Sequence, residues 1–247
     1  MTELAWLARN APIDSFPAPH MALHEPDGLL AAGGDLSTDR LLHAYQHGIF
    51  PWFEEGQPVL WWTPNPRCVL RCADFHRSRS LLRTLRRQPW RVSFDQAFAE
   101  VIDGCAEARS GRRRTWITAS MRAAYQALQQ RGFGRSVEVW DGDELIGGIY
   151  GVAIGRMYFG ESMFSRRADA SKVALLALCQ QMAAHDMPLL DCQVRSAHLT
   201  SLGATMLARE EFLQMIAGLC PACVPAASFD PGAIPVLNFK NSAAFQR

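Results

Sequence analysis

Leu189-Leu190-Asp191-Cys192-Gln193-Val194 is a short apolar run broken by one carboxylate and one amide. Its length and composition predict a buried strand. Alternation along that strand puts Leu189, Asp191 and Gln193 on one face and Leu190, Cys192 and Val194 on the other. An ionisable group there must be hydrogen-bonded, paired or chemically used, so Asp191 either ties down a loop or belongs to a site. Upstream, Ala170 to Ala184 reads as a long apolar helix, and before it the period changes to two. Ser136 to Trp140 is a strand, Asp141-Gly142 a hairpin turn and Leu145 to Ile154 the return strand. Gly155-Arg156 then turns into Met157-Tyr158-Phe159, and Gly160 to Ser165 closes a three-stranded antiparallel meander. Three strands, a long helix and a strand predict an α+β core in which a crossover helix returns the chain to the sheet.

The flanking segments are less regular. Residues 1–65 are rich in Pro, Gly and Trp and hold one good helical segment, with Ser37 as N-cap and Gly48 as its end. The aromatics of Ile49-Phe50-Pro51-Trp52-Phe53 and Leu60-Trp61-Trp62 form either a compact core or a stacking surface. Phe75 to Gln88, Val92 to Glu107 and Thr118 to Arg131 read as helices, with short helices expected at His198 to Leu202 and Glu210 to Ile216. In the first of these, Leu81, Leu82 and Leu85 share one side while Arg79, Arg83, Arg86 and Arg87 line the other with no acidic residue between them. A solvated face usually alternates signs, so this stripe points to a polyanion. A second basic cluster lies at Arg109 and Arg112-Arg113-Arg114. The expected division is an N-terminal domain at 1–65, a larger domain at 66–223 and a Pro/Ala-rich tail at 224–247.

The totals set bounds. The 247 residues, 49% hydrophobic and 20% charged, are those of an ordinary globular protein, long enough to fold without staples. The formal net charge of +1 excludes a strongly basic chain and leaves only local patches for a nucleic acid. No run has the length of a membrane span and the start lacks a signal-peptide layout, so a cytoplasmic protein is expected. Seven cysteines suit reduced thiols, and Cys220-Pro-Ala-Cys223 lacks the partners of a zinc site, so no metal is expected.

Several segments in order carry a resemblance: Glu25-Pro-Asp-Gly-Leu-Leu30, Gly33-Gly-Asp-Leu-Ser37, Gly48-Ile-Phe-Pro-Trp-Phe53, Leu60-Trp-Trp-Thr-Pro64, Gly160-Glu-Ser-Met-Phe-Ser165, Ala170-Ser-Lys172 and Asp191-Cys-Gln-Val194. Through them, over about residues 16 to 212, the chain resembles the bacterial leucyl/phenylalanyl-tRNA–protein transferases. It departs from their pattern at Thr63, where Ser is expected, and in the tail after Gly218. The resemblance implies an α+β fold with a GCN5-related N-acetyltransferase-like C-terminal domain and a smaller α+β N-terminal domain. It also implies transfer of Leu or Phe, less readily Met, from aminoacyl-tRNA to the α-amine of proteins beginning with Arg or Lys. The product would be an N-degron, and neither metal nor coenzyme would be needed. A monomer is expected.

Aminolysis of an activated ester calls for alignment and charge stabilisation rather than a nucleophilic side chain. Gln193 resembles the family's catalytic glutamine, whose amide oxygen can accept a hydrogen bond from the attacking amine. Asp191 would position that relay or hold the developing charge, and Glu161 would meet the acceptor's cationic side chain or serve a structural hydrogen bond. Ile149, Tyr158, Met163, Leu175, Leu178 and Leu190 are candidates for the aminoacyl pocket, although all suit a core equally well. Trp52 and Trp116 resemble positions that stack on the terminal adenosine, and the Arg79, Arg83, Arg86, Arg87 stripe would contact tRNA phosphates. The rival readings are an acyl-CoA N-acetyltransferase, for which Ser165 to Ser171 lacks the glycines of a pyrophosphate loop, a non-catalytic RNA-binding module, and a cell-wall aminoacyl-tRNA transferase.

Overall fold

The computed structural model describes residues 4–107, 116–224, 226 and 237–238. In chain order the elements are β1 (Ala5–Leu7), β2 (Leu29–Gly33), α1 (Thr38–Gln46), β3 (Phe50–Pro51), β4 (Leu60–Trp62), β5 (Arg67–Arg71), α2 (Arg79–Arg87), β6 (Arg91–Phe94), α3 (Phe98–Ala106) and α4 (Ala119–Gln130). There follow β7 (Gly134–Asp141), β8 (Glu144–Ile154), β9 (Met157–Ser165), α5 (Ala170–Ala184), β10 (Leu189–Gln193), α6 (Ala197–Ser201), β11 (Thr205–Leu207), α7 (Arg209–Leu219) and β12 (Leu237–Asn238). The first four strands form a small sheet in the order β1-β2-β4-β3, and the other eight form the large sheet β11-β5-β10-β9-β8-β7-β6-β12. None of the described helices is long and apolar enough to cross a membrane.

The expected core is present. The meander is antiparallel, helix α5 has the anticipated bounds, and β10 returns parallel to β9, with Leu189 opposite Met157 and Asp191 opposite Phe159. Alternation sorts the strands between two apolar layers. Leu189, Val152, Ile154 and Phe159 face a cluster with α3, α4 and α7, whereas Leu190, Ala153 and Tyr158 face α2 and α5. Helix α5 is apolar all round because it is covered by the sheet and α2. The first layer also takes in Leu41, Tyr45 and Trp61, so one continuous cluster joins the N-terminal sheet to the large one.

Four elements of the large sheet differ from expectation. Arg91–Phe94 is a strand rather than the start of a helix, because pairing with β7 and the bond from Ser93 Oγ to the buried Glu138 carboxylate (2.6 Å) outweigh helical periodicity. Strand β5, second from the edge of the sheet, and the short edge strand β11 beside it fall where no strand was anticipated. Part of the expected tail, Leu237–Asn238, pairs with β6 as an edge strand. The caps follow simple chemistry: Ser78 and Thr118 accept from the backbone N–H three residues on, at 3.2 Å each. Ser37 stands at the N-cap of α1 without such a bond, its own N–H donating to Asp35 Oδ1. Gly28, at φ 85°, turns the Glu25 to Leu30 segment so closely over Pro64 that a Cβ would lie 2.5 Å from its Cα.

Gly104 on α3 has no room for a side chain, since a Cβ would sit 2.7 Å from the ring of Phe164, which β9 buries in the layer that it shares with α3. Gly104→Val is expected to cost roughly 1–3 kcal/mol through overpacking. Urea denaturation should show a lower midpoint at unchanged slope; an unaltered midpoint would mean that the ring yields freely.

Candidate active site

The site forms where β9 and β10 part. Their pairing ends at Phe159 and Asp191, after which β9 continues to Ser165 while β10 breaks into a bulge. In that bulge Gln193 has φ 59°, and Val194 N–H bonds back to Cys192 O at 2.7 Å. The simple alternation expected for the strand therefore fails after Asp191.

Asp191 is wholly buried. Its carboxylate meets the guanidinium of Arg67 on β5 in a bidentate pair, Nε to Oδ1 at 2.8 Å and Nη2 to Oδ2 at 2.7 Å. Arg67 also donates from Nη1 to Gly48 O at 2.9 Å and lies between the rings of Phe50 and Phe212, 4.8 and 4.6 Å from their centres. The remaining function of Asp191 is to accept from the backbone N–H of Gln193 at 2.9 Å, which holds the bulge. Asp191 lines neither of the cavities described below, so its place is behind Gln193 and it positions that residue.

Gln193 lies between two adjoining cavities. One, of about 260 Å³, is lined by Phe50, Pro51, Trp52, Trp116 and the turn from Cys192 to Ser196. The other, of about 110 Å³, is lined by Ile149, Met163, Leu175, Leu190 and Leu199. Glu161, Cys192 and Gln193 are common to both. Of the six pocket candidates, four thus line the apolar cavity. Tyr158 and Leu178 do not; both are fully buried in the α5 layer, and the Tyr158 hydroxyl is spent on Arg135 O at 3.0 Å. Leu199 on α6 joins the lining unanticipated.

Glu161 lines both cavities, and its carboxylate oxygens already accept from donors of this chain. Tyr45 Oη donates to Oε1 at 2.7 Å, Tyr125 Oη donates to Oε2, and Gln193 Nε2 donates to Oε1 at 3.0 Å. The two phenol oxygens are themselves 2.8 Å apart. Burial, with the Asp191 charge adding to it, pushes the Glu161 carboxyl up to about 7 against the opposing effect of the tyrosine hydroxyls. These bonds orient the Gln193 side chain, at the residue where contact with an acceptor's cation is expected. With its amide nitrogen turned to Glu161, the Gln193 amide oxygen has no hydrogen-bond partner among the described residues.

Trp52 is 43% exposed at the mouth of the larger cavity and Trp116 half-buried across it. Arg79, Arg83, Arg86 and Arg87 are exposed along α2, and none enters an ion pair among the described residues. The cluster from Arg109 to Arg114 lies outside the described residues. No group of three or more His, Cys, Asp or Glu among the described residues could hold a metal ion, and Cys220 is a core thiol that donates to Ile154 O.

A meander, crossover helix and parallel return strand, parting around a fixed amide beside an apolar and an aromatic cavity, define an acyl-transferring enzyme of α+β architecture. Residues 69–217 match the family model described as leucyl/phenylalanyl-tRNA protein transferase, and residues 34–65 match that of its N-terminal domain. A leucyl/phenylalanyl-tRNA–protein transferase of Pseudomonas syringae pv. syringae is 56% identical over 209 residues, covering 85% of this chain and 90% of that protein. One of Xylella fastidiosa strain M23 is 53% identical over 224 residues, covering 88% and 92%. A GCN5-related N-acetyltransferase from Kribbella flavida is a slight structural likeness, at 11% identity and TM-score 0.35 over 67% of this chain and 59% of that one. The chain belongs to the leucyl/phenylalanyl-tRNA protein transferase family and is an aminoacyltransferase.

Arg67→Ala would leave the Asp191 carboxylate buried without its cation, at an expected loss of about 3–5 kcal/mol. Replacing both partners with apolar residues, Arg67→Met with Asp191→Leu, should recover much of that loss in thermal unfolding while leaving Gln193 unheld. An Arg67→Ala protein that melts like the wild type would show that the pair does not hold this corner.

Proposed function

We propose that this enzyme transfers Leu or Phe, and less readily Met, from the 3′ end of aminoacyl-tRNA to the α-amine of proteins beginning with Arg or Lys, creating an N-degron. The observation that carries this reading is the Gln193 amide, oriented by Glu161 and set between an apolar and an aromatic cavity. The donor's side chain enters the cavity of Ile149, Met163, Leu175, Leu190 and Leu199, where the adaptable Met163 accommodates both an aliphatic and an aromatic group. The terminal adenosine stacks against Trp52 and Trp116, which places the ester carbonyl beside Gln193. The acceptor amine donates to the Gln193 amide oxygen, which points its lone pair at that carbonyl. Asp191, clamped by Arg67, keeps the amide in place. The arginines of α2 hold the tRNA backbone without reading sequence.

A CoA-dependent reading meets an obstacle at the start of α5. There Asp169 places a carboxylate, bound by Lys172 Nζ at 2.7 Å and Thr84 Oγ1 at 3.0 Å, where a pyrophosphate would need open amide groups.

Labelled Phe from Phe-tRNA is expected to pass to a peptide beginning with Arg and not to one beginning with Ala. Gln193→Ala should lower kcat on the order of 100-fold with the apolar cavity intact. Absence of transfer to either peptide would sink the reading. Converting Arg79, Arg83, Arg86 and Arg87 together to Ala should raise the KM for aminoacyl-tRNA at nearly unchanged kcat. It should also make the salt dependence shallower by about 3 in log–log slope; an unaltered slope would remove these arginines from the tRNA path.

A further inference from the structure

We infer that Glu161 is the proton acceptor of the transfer reaction, taking the proton released by the attacking amine into a closed ring with Tyr45 and Tyr125. This rests on the aminolysis reading above and adds a catalytic residue to it.

The argument is a count of protons. Glu161, Tyr45 and Tyr125 make three mutual oxygen contacts: Tyr45 to Oε1 at 2.7 Å, Tyr125 to Oε2, and phenol to phenol at 2.8 Å. When Glu161 is ionised the two phenols supply two protons, and one of the three contacts is empty. One further proton fills all three, as a ring in which each oxygen group donates once and accepts once. The ring is thus one proton short beside Gln193, whose amide nitrogen is 3.0 Å from Oε1. Asp191 is not placed for this part, because it is paired with Arg67 and lines neither cavity, whereas Glu161 lines both.

The step balances. The amine nitrogen, hydrogen-bonded to the Gln193 amide oxygen, attacks the ester carbonyl; the N–C bond forms and one N–H bond breaks, its proton passing to Glu161. As the C–O bond to the ribose breaks, that proton goes to the departing 3′-oxygen, so a new amide and a free hydroxyl form and the carboxylate is regenerated. The groups that set the ring's affinity face it from every side. Tyr45 comes from α1, Tyr125 from α4 and Tyr150 from β8, while Asp191, paired with Arg67, stands behind on β10, Arg195 lies at the cavity wall, and Tyr158 of β9 acts only from the opposite layer. An acceptor titrating near neutrality suits the task.

The test is the pH dependence of kcat for Phe transfer to an Arg-initiated peptide in the wild type, Glu161→Gln, Glu161→Asp, Tyr125→Phe and Asp191→Asn. The acceptor's own amine titrates near pH 8 and identically for all proteins. The wild type should also show an acid limb near pH 7. Tyr125→Phe removes a hydrogen bond that favours the ionised form, so its limb should move to higher pH. Glu161→Gln should lose the limb and fall on the order of 100-fold, Glu161→Asp should retain a displaced limb, and Asp191→Asn, which removes a charge that raises the Glu161 carboxyl, should lower kcat and move the limb to lower pH. A wild-type limb that stays in place in both Glu161→Gln and Tyr125→Phe would overturn the inference while leaving the transfer activity established. Absence of transfer by the wild type is the separate failure of the underlying reading.

Discussion

The buried pair between Arg67 and Asp191 is the constraint on which the site depends. Two charges removed from water are tolerated only when each is fully engaged, and here the engagement is complete. The carboxylate takes two guanidinium bonds and the Gln193 N–H, and the guanidinium lies between Phe50 and Phe212 while donating to Gly48 O. These contacts tie β5, β10, α7 and the segment after α1 to one point. The bulge that sets Gln193 at positive φ is strained for a non-glycine residue and persists because that point is over-determined.

From this anchor the chemistry is layered outward. Asp191 fixes the backbone of Gln193, Glu161 fixes its side chain, and the tyrosines fix Glu161. Gln193 and Glu161 reach the cavities, while Asp191 and the tyrosines stay fully buried behind them. Tyr45, Phe50, Pro51 and Trp52 all come from the first sixty-five residues, so the N-terminal sheet completes the site rather than merely covering it. The continuous apolar cluster from Leu41 and Trp61 to Phe159 and Phe212 supplies the rigidity this arrangement needs.

Electrostatics are divided in space. Buried charges are paired or hydrogen-bonded inside the site, while α2 presents to solvent four arginines that form no ion pair among the described residues, in a chain whose formal net charge is +1. A polyanion thus meets a local field that the total charge conceals, and the strength of that field depends on salt whereas the buried pair does not.

Much of this was legible in the sequence. Period-two patterning and the Asp-Gly turn set out the meander, the apolar run to Ala184 set out α5, and the one-sided arginines marked α2, because these signals are local. Asp191 and Gln193 stood out as polar residues in an apolar strand. The run Arg67-Cys68-Val69-Leu70-Arg71 passed unmarked, although its short apolar centre after Pro66 is a strand signal, and with it went the partner of Asp191. Arg67 is 124 positions from Asp191 and Tyr45 is 116 from Glu161. Residue type and spacing therefore determined the elements and the candidate chemistry. Which carboxylate is locked away and which faces the cavity was decided by tertiary packing, since burial and pairing arise only when distant strands are brought together.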